Sequence, residues 1–350
     1  MTSLEVFKDV LHCEINISPA SYRQYQLNNS GSVMSASTLV SHVMTMLPDP
    51  QHCQALWSGC GHIYKFTYQG NMLVAKVAAV PAQLEHRHIA QSEHSLNRKH
   101  RSYEKELMFY QDTAQDYLNE CALPQVKAVA NRDEAFVFVF TDFETQGYRN
   151  VSKAEPWHVT QMIAWLARFH AIGLVSSHTP NIYGRGNYWH LSTRPDEYER
   201  MIPGLLKNSA NRIDQRLRDC PYQTLIHGDA KVANFAFSQR QALGYDFQHV
   251  GLGIGIADVM LLLTSLYCGR DLELHAEQYL NLYFEQLSEA LAPSWSSEQF
   301  NDLEKSWRRL WAFVWADFHR FLLGWKPDHE KLTAYMLHQT ELCLAQLGEE

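Results

Sequence analysis

Short runs of alternating apolar and polar residues dominate the first half of the chain. Three- and four-residue apolar spacing dominates the second. Alternation predicts strands and the longer period predicts helices. Cys53–Trp57, His62–Tyr68 and Met72–Val80 read as three strands, joined by Ser58-Gly59-Cys60-Gly61 and by the tight turn Gln69-Gly70-Asn71. Val126–Ala130 and Ala135–Phe140 read as a further pair around Asn131-Arg132-Asp133. Ahead of these, Met1 to about Ser35 is poorly patterned. Ser35 or Ser37 caps a short expected helix, Thr38–Met46, which Pro48 and Pro50 end. Pro81–Arg101 is polar and His-rich and reads as a solvated helix and loop; a helix from Ser102 carries Tyr103, Leu107, Tyr110 and Tyr117.

The second half predicts helices Trp157–Ile172, Asp196–Leu217, Val259–Tyr267, Leu272–Leu291, Ser297–Leu323 and Glu330–Leu347. Short apolar runs at Thr224–Ile226, Phe235–Phe237 and Ala242–Tyr245 interrupt them. Ser176–Pro195 is a loop containing glycine and aromatic residues.

Composition narrows the function classes. Hydrophobic residues at 46% and charged residues at 19% of 350 describe an ordinary globule with ample core. A net charge of −8 disfavours a general nucleic-acid binder and is compatible with a cationic or neutral substrate. The seven cysteines form no Cys-x-x-Cys, which suits a reduced, cytoplasmic setting. The first nine residues carry charges where a signal peptide needs an apolar run. No window approaches the roughly eighteen apolar residues of a membrane span.

The chemistry concentrates in Leu225–Gln248. Asp229 is followed by Asn234 five positions on and by Asp246 twelve after that. A hairpin built from Phe235–Phe237 and Ala242–Tyr245 would bring all three to one end. There an Asn and an Asp can hold Mg²⁺ while the other Asp faces a nucleophile. Upstream, Lys76 lies in the apolar run Leu-Val-Ala-Lys-Val. It sits either on a solvated strand edge or buried against an anion.

This spacing resembles the catalytic and metal-binding loops of the protein-kinase-like superfamily. Gly228 and the triplet Asp246-Phe247-Gln248 resemble the aminoglycoside phosphotransferase and choline kinase branch, and most of all its ecdysteroid-kinase-like members. The resemblance implies an α+β, two-lobed kinase-like fold: a small antiparallel-sheet lobe and a larger, mainly helical one. Residues 1–50 would be an extension, 51–143 the nucleotide-binding lobe and 144–350 the helical lobe with the catalytic and metal-binding loops. It implies ATP and Mg²⁺ as cofactors and transfer of the γ-phosphoryl group to a small-molecule hydroxyl, with no nucleic-acid partner. Asp229 would orient the acceptor hydroxyl, and Lys231 would neutralise charge on the transferring group. Asn234 and Asp246 would hold the metal. Lys76, set by Glu106 or else by Glu104, would hold nucleotide phosphates covered by the Gly59–Gly61 turn. Thr141 and Phe143 fall at the adenine-binding hinge. His227 and Asp258 would support the catalytic loop, Asp258 by accepting hydrogen bonds from its backbone, and His170 would pack beneath it.

Other features pull less strongly. Gly251-Leu-Gly-Ile-Gly lacks the final glycine of a dinucleotide fingerprint, with Ile256 in its place. Trp307, Trp311, Trp315 and Phe318 fall on one predicted helical face, as core or as a substrate wall, with Asp317, His319 and Arg320 within reach of a substrate. A protein kinase shares the nucleotide chemistry, and Lys231 stands where protein kinases place a lysine. No Ala-Pro-Glu segment follows Asp246, however. A nucleotide-binding pseudokinase would ordinarily lack one of the key polar positions, and all are filled.

Overall fold

The computed structural model describes Leu47 and residues 49–84, 92–132, 135–176 and 183–349. The expected extension, its Thr38–Met46 helix and the 131–134 turn's tip lie wholly or largely outside these residues. Two compact units emerge. One takes the chain up to Asp116 together with Pro124–Tyr148, and the other takes Tyr117–Leu123 together with everything from Arg149 onward.

The first unit is built on a five-stranded antiparallel sheet. Strands β1 (Gln51–Ala55), β2 (Gly61–Tyr68), β3 (Asn71–Ala79), β4 (Val126–Arg132) and β5 (Ala135–Thr141) lie in the order β1-β2-β3-β5-β4. The two-residue period splits β3 cleanly. Ala75 and Val77 join Tyr64, Phe66, Leu73 and Val139 in one buried cluster, while Lys76 between them points to the opposite face. On that opposite face lies helix α1 (Glu93–Met108), whose Tyr103 meets Phe136 at 5.7 Å between ring centroids. The helix starts nine residues earlier than Ser102. Ser92 caps it by accepting from Ser95 N, and the polar run 93–101 is its solvated first half. A wide π-type turn, Phe109–Thr113, follows.

The second unit is helical around two small hairpin-like pairings. Helix α2 (Pro156–Val175) is buried along much of its length and packs against β6 (Thr224–Ile226), α5 (Ile256–Leu266) and α6 (Gly269–Leu291). Thr224–Ile226 does not pair with the next run. It pairs with β9 (Gly251–Gly253), so the Gly-x-Gly run is a strand, while β7 (Phe235–Phe237) and β8 (Ala242–Gly244) form their own hairpin. Two predicted helices are each broken in two. Pro203-Gly204 separates α3 (Pro195–Arg200) from α4 (Leu205–Arg218), because proline removes a backbone donor and glycine relaxes the chain. Leu310, with ψ near −1°, separates α7 (Ser297–Arg309) from α8 (Trp311–Trp325). The tryptophans therefore belong to two helices, and all of them are buried as core. The last helix, α9 (Ala334–Gly348), begins at the Thr333 cap instead of at Glu330.

Asp317, His319 and Arg320 are buried. Arg320 donates to Asp317 (2.9 Å), and His319 Nδ1–H donates to the Thr340 hydroxyl (2.9 Å), whose own proton goes to Met336 O. Burial pulls the His319 pKa from 6.5 down to about 4. Between those values the unfolded chain takes up a proton that the folded chain refuses. Unfolding free energy should therefore be intact above pH 6.5 and fall as pH drops toward 4, by up to about 3 kcal/mol. Urea unfolding at pH 7.5 and pH 5 should show a smaller acid loss for His319→Gln than for the native chain; equal losses would refute this.

Candidate active site

In the first unit, the register puts Lys76 opposite Phe138 on β5, facing α1. Its ammonium donates to both carboxylate oxygens of Glu106, at 2.7 and 2.9 Å, and lies 5.7 Å from the Tyr103 and Phe138 ring centroids. Lys76 and Glu106 are 6% and 1% exposed, so the charges meet away from water. Glu104, two positions away on α1, turns outward to Arg101 and His100. A buried pair is costly to break from one side, because the survivor keeps its desolvation penalty. Lys76→Met should destabilise the protein by about 3–5 kcal/mol, and adding Glu106→Leu should restore most of that loss. Urea midpoints for the single and double variants test this, and a double variant as unstable as the single would refute it.

Between β1 and β2 the chain makes a 3₁₀ turn, Trp57–Gly59, with Ser58 and Gly59 both in the left-handed region. Gly61 (φ 129°) follows. A Cβ there would sit 2.1 Å from the Val77 carbonyl oxygen, so only glycine lets this loop close onto β3. The Ser58 hydroxyl is buried and has no hydrogen-bond partner among the described residues. At the far end of β5, Thr141 N donates to Gln125 O, and Phe143 opens a turn, Phe143–Gln146, capped by the Asp142 carboxylate. The Thr141 hydroxyl is likewise buried without a partner among the described residues.

In the second unit, β6 runs directly into His227-Gly228-Asp229. The buried Asp258 carboxylate near the start of α5 holds this loop from below, accepting from His227 N (2.6 Å) and Gly228 N (2.9 Å). His170 Nε2–H adds a third bond at 3.1 Å and is itself oriented by the Tyr283 hydroxyl at 2.8 Å. His227 has both ring nitrogens committed. Nε2–H donates to Tyr245 O (3.0 Å), and Nδ1 accepts from Asp229 N (3.3 Å). Gly228 (φ 78°) turns the chain where any side chain would strike the His249 carbonyl oxygen, 2.0 Å from an added Cβ.

Asp229 is 7% exposed. Its Oδ2 accepts from Lys231 Nζ (2.8 Å) and Asn234 Nδ2 (3.1 Å), and Asn234 Nδ2 also donates to Asp229 O (2.9 Å). Burial raises the Asp229 pKa, with Lys231 pulling the other way. Asn234 O accepts from Tyr245 N (3.0 Å), which brings the residue before Asp246 alongside Asn234. Asp246 is in the left-handed region (φ 69°), and its Oδ1 accepts from Gln248 Nε2 (2.7 Å). Phe247 is buried against His227 and Phe169. The hairpin thus brings Asp229, Asn234 and Asp246 together, 17 positions apart at the extremes.

The structure adds neighbours that the sequence leaves unmarked. Asn150 Nδ2 donates to Phe235 O and to the Tyr245 hydroxyl, which donates to Ala233 O, tying the hairpin to the loop. Tyr188 lies close enough to Asp229 that the carboxylate adds to burial in raising its pKa. Ser265 accepts from Val232 N at 3.2 Å. None of these carries a local signal, since each reaches the loop from a distant part of the chain.

The profile of the phosphotransferase enzyme family matches residues 84–293, more than half of the chain. The protein belongs to that family. Its fold is similar to that of the amicoumacin kinase hAmiN, solved in complex with AMP-PNP, Ca²⁺ and Ami. The TM-score is 0.54 at 13% identity, covering 89% of this chain and 93% of that one. A choline/ethanolamine kinase family protein from Mesorhizobium loti is also similar, with a TM-score of 0.46 at 14% identity over 89% and 94% of the two chains. At such identities the likeness is one of fold, and the fold is kinase-like. No curated protein matches the sequence. No helix among the described residues is long and apolar enough to cross a membrane.

Proposed function

We propose that this chain is an ATP- and Mg²⁺-dependent kinase that moves the γ-phosphoryl group to a hydroxyl of a small molecule. The observation that carries the reading is the convergence of Asp229, Asn234 and Asp246 on one loop-and-hairpin in a member of the phosphotransferase family. The residues present fit both groups. Asn234 spends amide hydrogens on Asp229, which leaves its carbonyl oxygen, with the Asp246 carboxylate, as hard oxygen donors of the kind Mg²⁺ takes. In the first unit, the buried Ser58 hydroxyl and the side-chain-free Gly61 suit a loop that closes over phosphate oxygens.

Bound Mg·ATP supplies the phosphoryl group, with the cation neutralising charge on its oxygens. In this reading Lys76, fixed by Glu106, holds the nucleotide phosphates, and Thr141–Phe143 receives the adenine. Lys231 and Asn234 both hold Asp229 Oδ2, which leaves Oδ1 to accept the hydrogen bond of the acceptor hydroxyl. Oδ1 takes that proton as the hydroxyl oxygen bonds to the γ-phosphorus and the bond from that phosphorus to the β,γ-bridging oxygen breaks, releasing ADP. Lys231 neutralises charge on the group in transit. His227 and Asp258 position the loop.

A small acceptor suits the chain better than a protein one, because it passes from Asp246 to β9 at Gly251 and to α5 at Ile256. That leaves little room for a segment that would dock a peptide. The Asp246-Phe247-Gln248 triplet favours the ecdysteroid-kinase-like branch. The six cysteines among the described residues form no disulfide with one another, which suits a cytoplasmic home.

The test is transfer of label from γ-labelled ATP into a cell extract, with Asp229→Asn as the blank. Label in small polar or lipid fractions, absent from the blank, supports the reading. Label in protein alone would make the chain a protein kinase, and no enzyme-dependent label would refute the reading.

A further inference from the structure

Among the charged groups around Asp229 within the second unit, one cation stands outside the ion pairs. Asp229 and Lys231 form a 2.8 Å pair. Arg194 is committed to Glu197 (3.2 Å) and to the Tyr188 carbonyl, with its guanidinium over the Phe321 ring. Asp246 accepts from Gln248 and, in the reading above, serves the metal. Lys331, between α8 and α9, is different. Its Nζ donates to Thr264 Oγ1 at 3.2 Å and lies 5.9 Å from the Phe318 ring centroid. The Thr264 hydroxyl gives its own proton to Leu261 O, so to Lys331 it is a neutral acceptor. Among the described residues, no carboxylate stands within ion-pair distance of this ammonium.

The position of Lys331 follows from α5. Consecutive residues at the end of that helix face two ways: Ser265 binds Val232 N in the catalytic loop, and Thr264 binds Lys331. Lys331 is therefore held one helical residue away from the loop that carries Asp229, near enough for Asp229 and Lys231 to act on its titration alongside the adjoining Glu330. Burial lowers its pKa to about 8, the mark of an ammonium that has lost water without gaining an equivalent counter-charge. Half-burying a cation beside neutral partners costs free energy unless an anion meets it in the working state.

We propose that the acceptor carries an oxyanion, a carboxylate or a phosphate, and that Lys331 binds it while the acceptor hydroxyl faces Asp229. This rests on the kinase reading and sharpens it. The chain's net charge of −8 is compatible with a cationic or neutral substrate, but recognition is decided locally, and here the group outside an ion pair is an ammonium. Lys331 makes no covalent change; it is a specificity-determining residue that fixes which end of the acceptor points to Asp229.

The experiment fractionates a small-molecule extract on a strong anion exchanger at pH 9, then offers the unretained and salt-eluted fractions separately with γ-labelled ATP. Wild type, Lys331→Gln, Lys331→Arg and Asp229→Asn are compared. Acceptor activity should elute in the retained fraction. Losing a hydrogen bond to a charged group is expected to raise the apparent KM for that acceptor about tenfold to a hundredfold in Lys331→Gln. The KM for ATP should stay put, and Lys331→Arg should recover most of the affinity. Phosphatase treatment of the retained fraction before assay separates the two oxyanions: activity lost with retention marks a phosphate, and activity kept marks a carboxylate. Acceptor activity confined to the unretained fraction would overturn this inference and leave the kinase reading standing. So would an unchanged acceptor KM in a folded Lys331→Gln, or a shift in the KM for ATP alone. No label in any fraction would overturn the kinase reading, and the inference with it.

Discussion

Asp229→Asn is expected to lower turnover by about 10²- to 10⁴-fold, the range for removing a group that takes a proton in the transition state. Asparagine matches the shape of aspartate and can still accept from Lys231 and Asn234, so the loop should keep its geometry. What it cannot do is take a proton. The stability of the variant should therefore stay within about 1 kcal/mol of wild type. Nucleotide binding, followed by titration with a fluorescent ATP analogue, should change little. The contrast between intact binding and lost turnover separates chemistry from folding. A variant that turned over within about threefold of wild type would remove Asp229 from the mechanism, since a threefold change is well under 1 kcal/mol.

Much of this arrangement is legible in the sequence because it depends on local periods. Alternation over eight or nine residues specifies β2 and β3, and the same two-residue period separates Lys76 from Ala75 and Val77. The spacing from Asp229 to Asn234 to Asp246 is closed by a hairpin whose two strands are neighbours in sequence, so its geometry follows from short-range rules. Helix phase separates Glu106 from Glu104, but only the sheet beneath says which of them looks at Lys76.

The misses have a common physical form: a choice settled by tertiary packing and left ambiguous by local pattern. The apolar period runs through Leu310 without a proline or glycine, yet the helix breaks there, and the two pieces have different neighbours: α7 meets α6, while α8 meets α9, α4 and α3. Asp317, His319 and Arg320 look like solvent-facing chemistry in sequence. In the fold they are core: Arg320 donates to Asp317 and to the Trp189 carbonyl, and His319 bonds Thr340. The polar first half of α1 carries too few apolar residues to announce a helix that Ser92 nonetheless caps. Lys331 stands a hundred residues beyond the catalytic loop, and no periodicity connects them.

Asp258→Ala should produce the opposite pattern to Asp229→Asn, with turnover lost because the loop is lost. Asp258 is fully buried, and its two oxygens accept from His227 N, Gly228 N and His170 Nε2. Truncation strands three buried donors. At about 1–3 kcal/mol for each buried group left unsatisfied, partly relieved by relaxation, the expected loss is about 3–5 kcal/mol of unfolding free energy. Gly228 cannot easily find another partner, because its φ of 78° and the His249 carbonyl beside it fix its path. Asp258→Asn keeps one acceptor oxygen and replaces the other with a donor aimed at backbone N–H groups or at His170. It should fall between wild type and alanine in urea midpoint. His170→Phe removes only one of the three bonds and should cost less than either, while leaving both loop amides satisfied. If Asp258→Ala kept its urea midpoint, water would have to replace the carboxylate in a site with no solvent access, and the hydrogen-bonded floor assigned to the catalytic loop would be wrong. If stability fell but turnover per folded molecule held, the carboxylate would be a packing feature, and the loop would owe its shape to Gly228 and the hairpin alone.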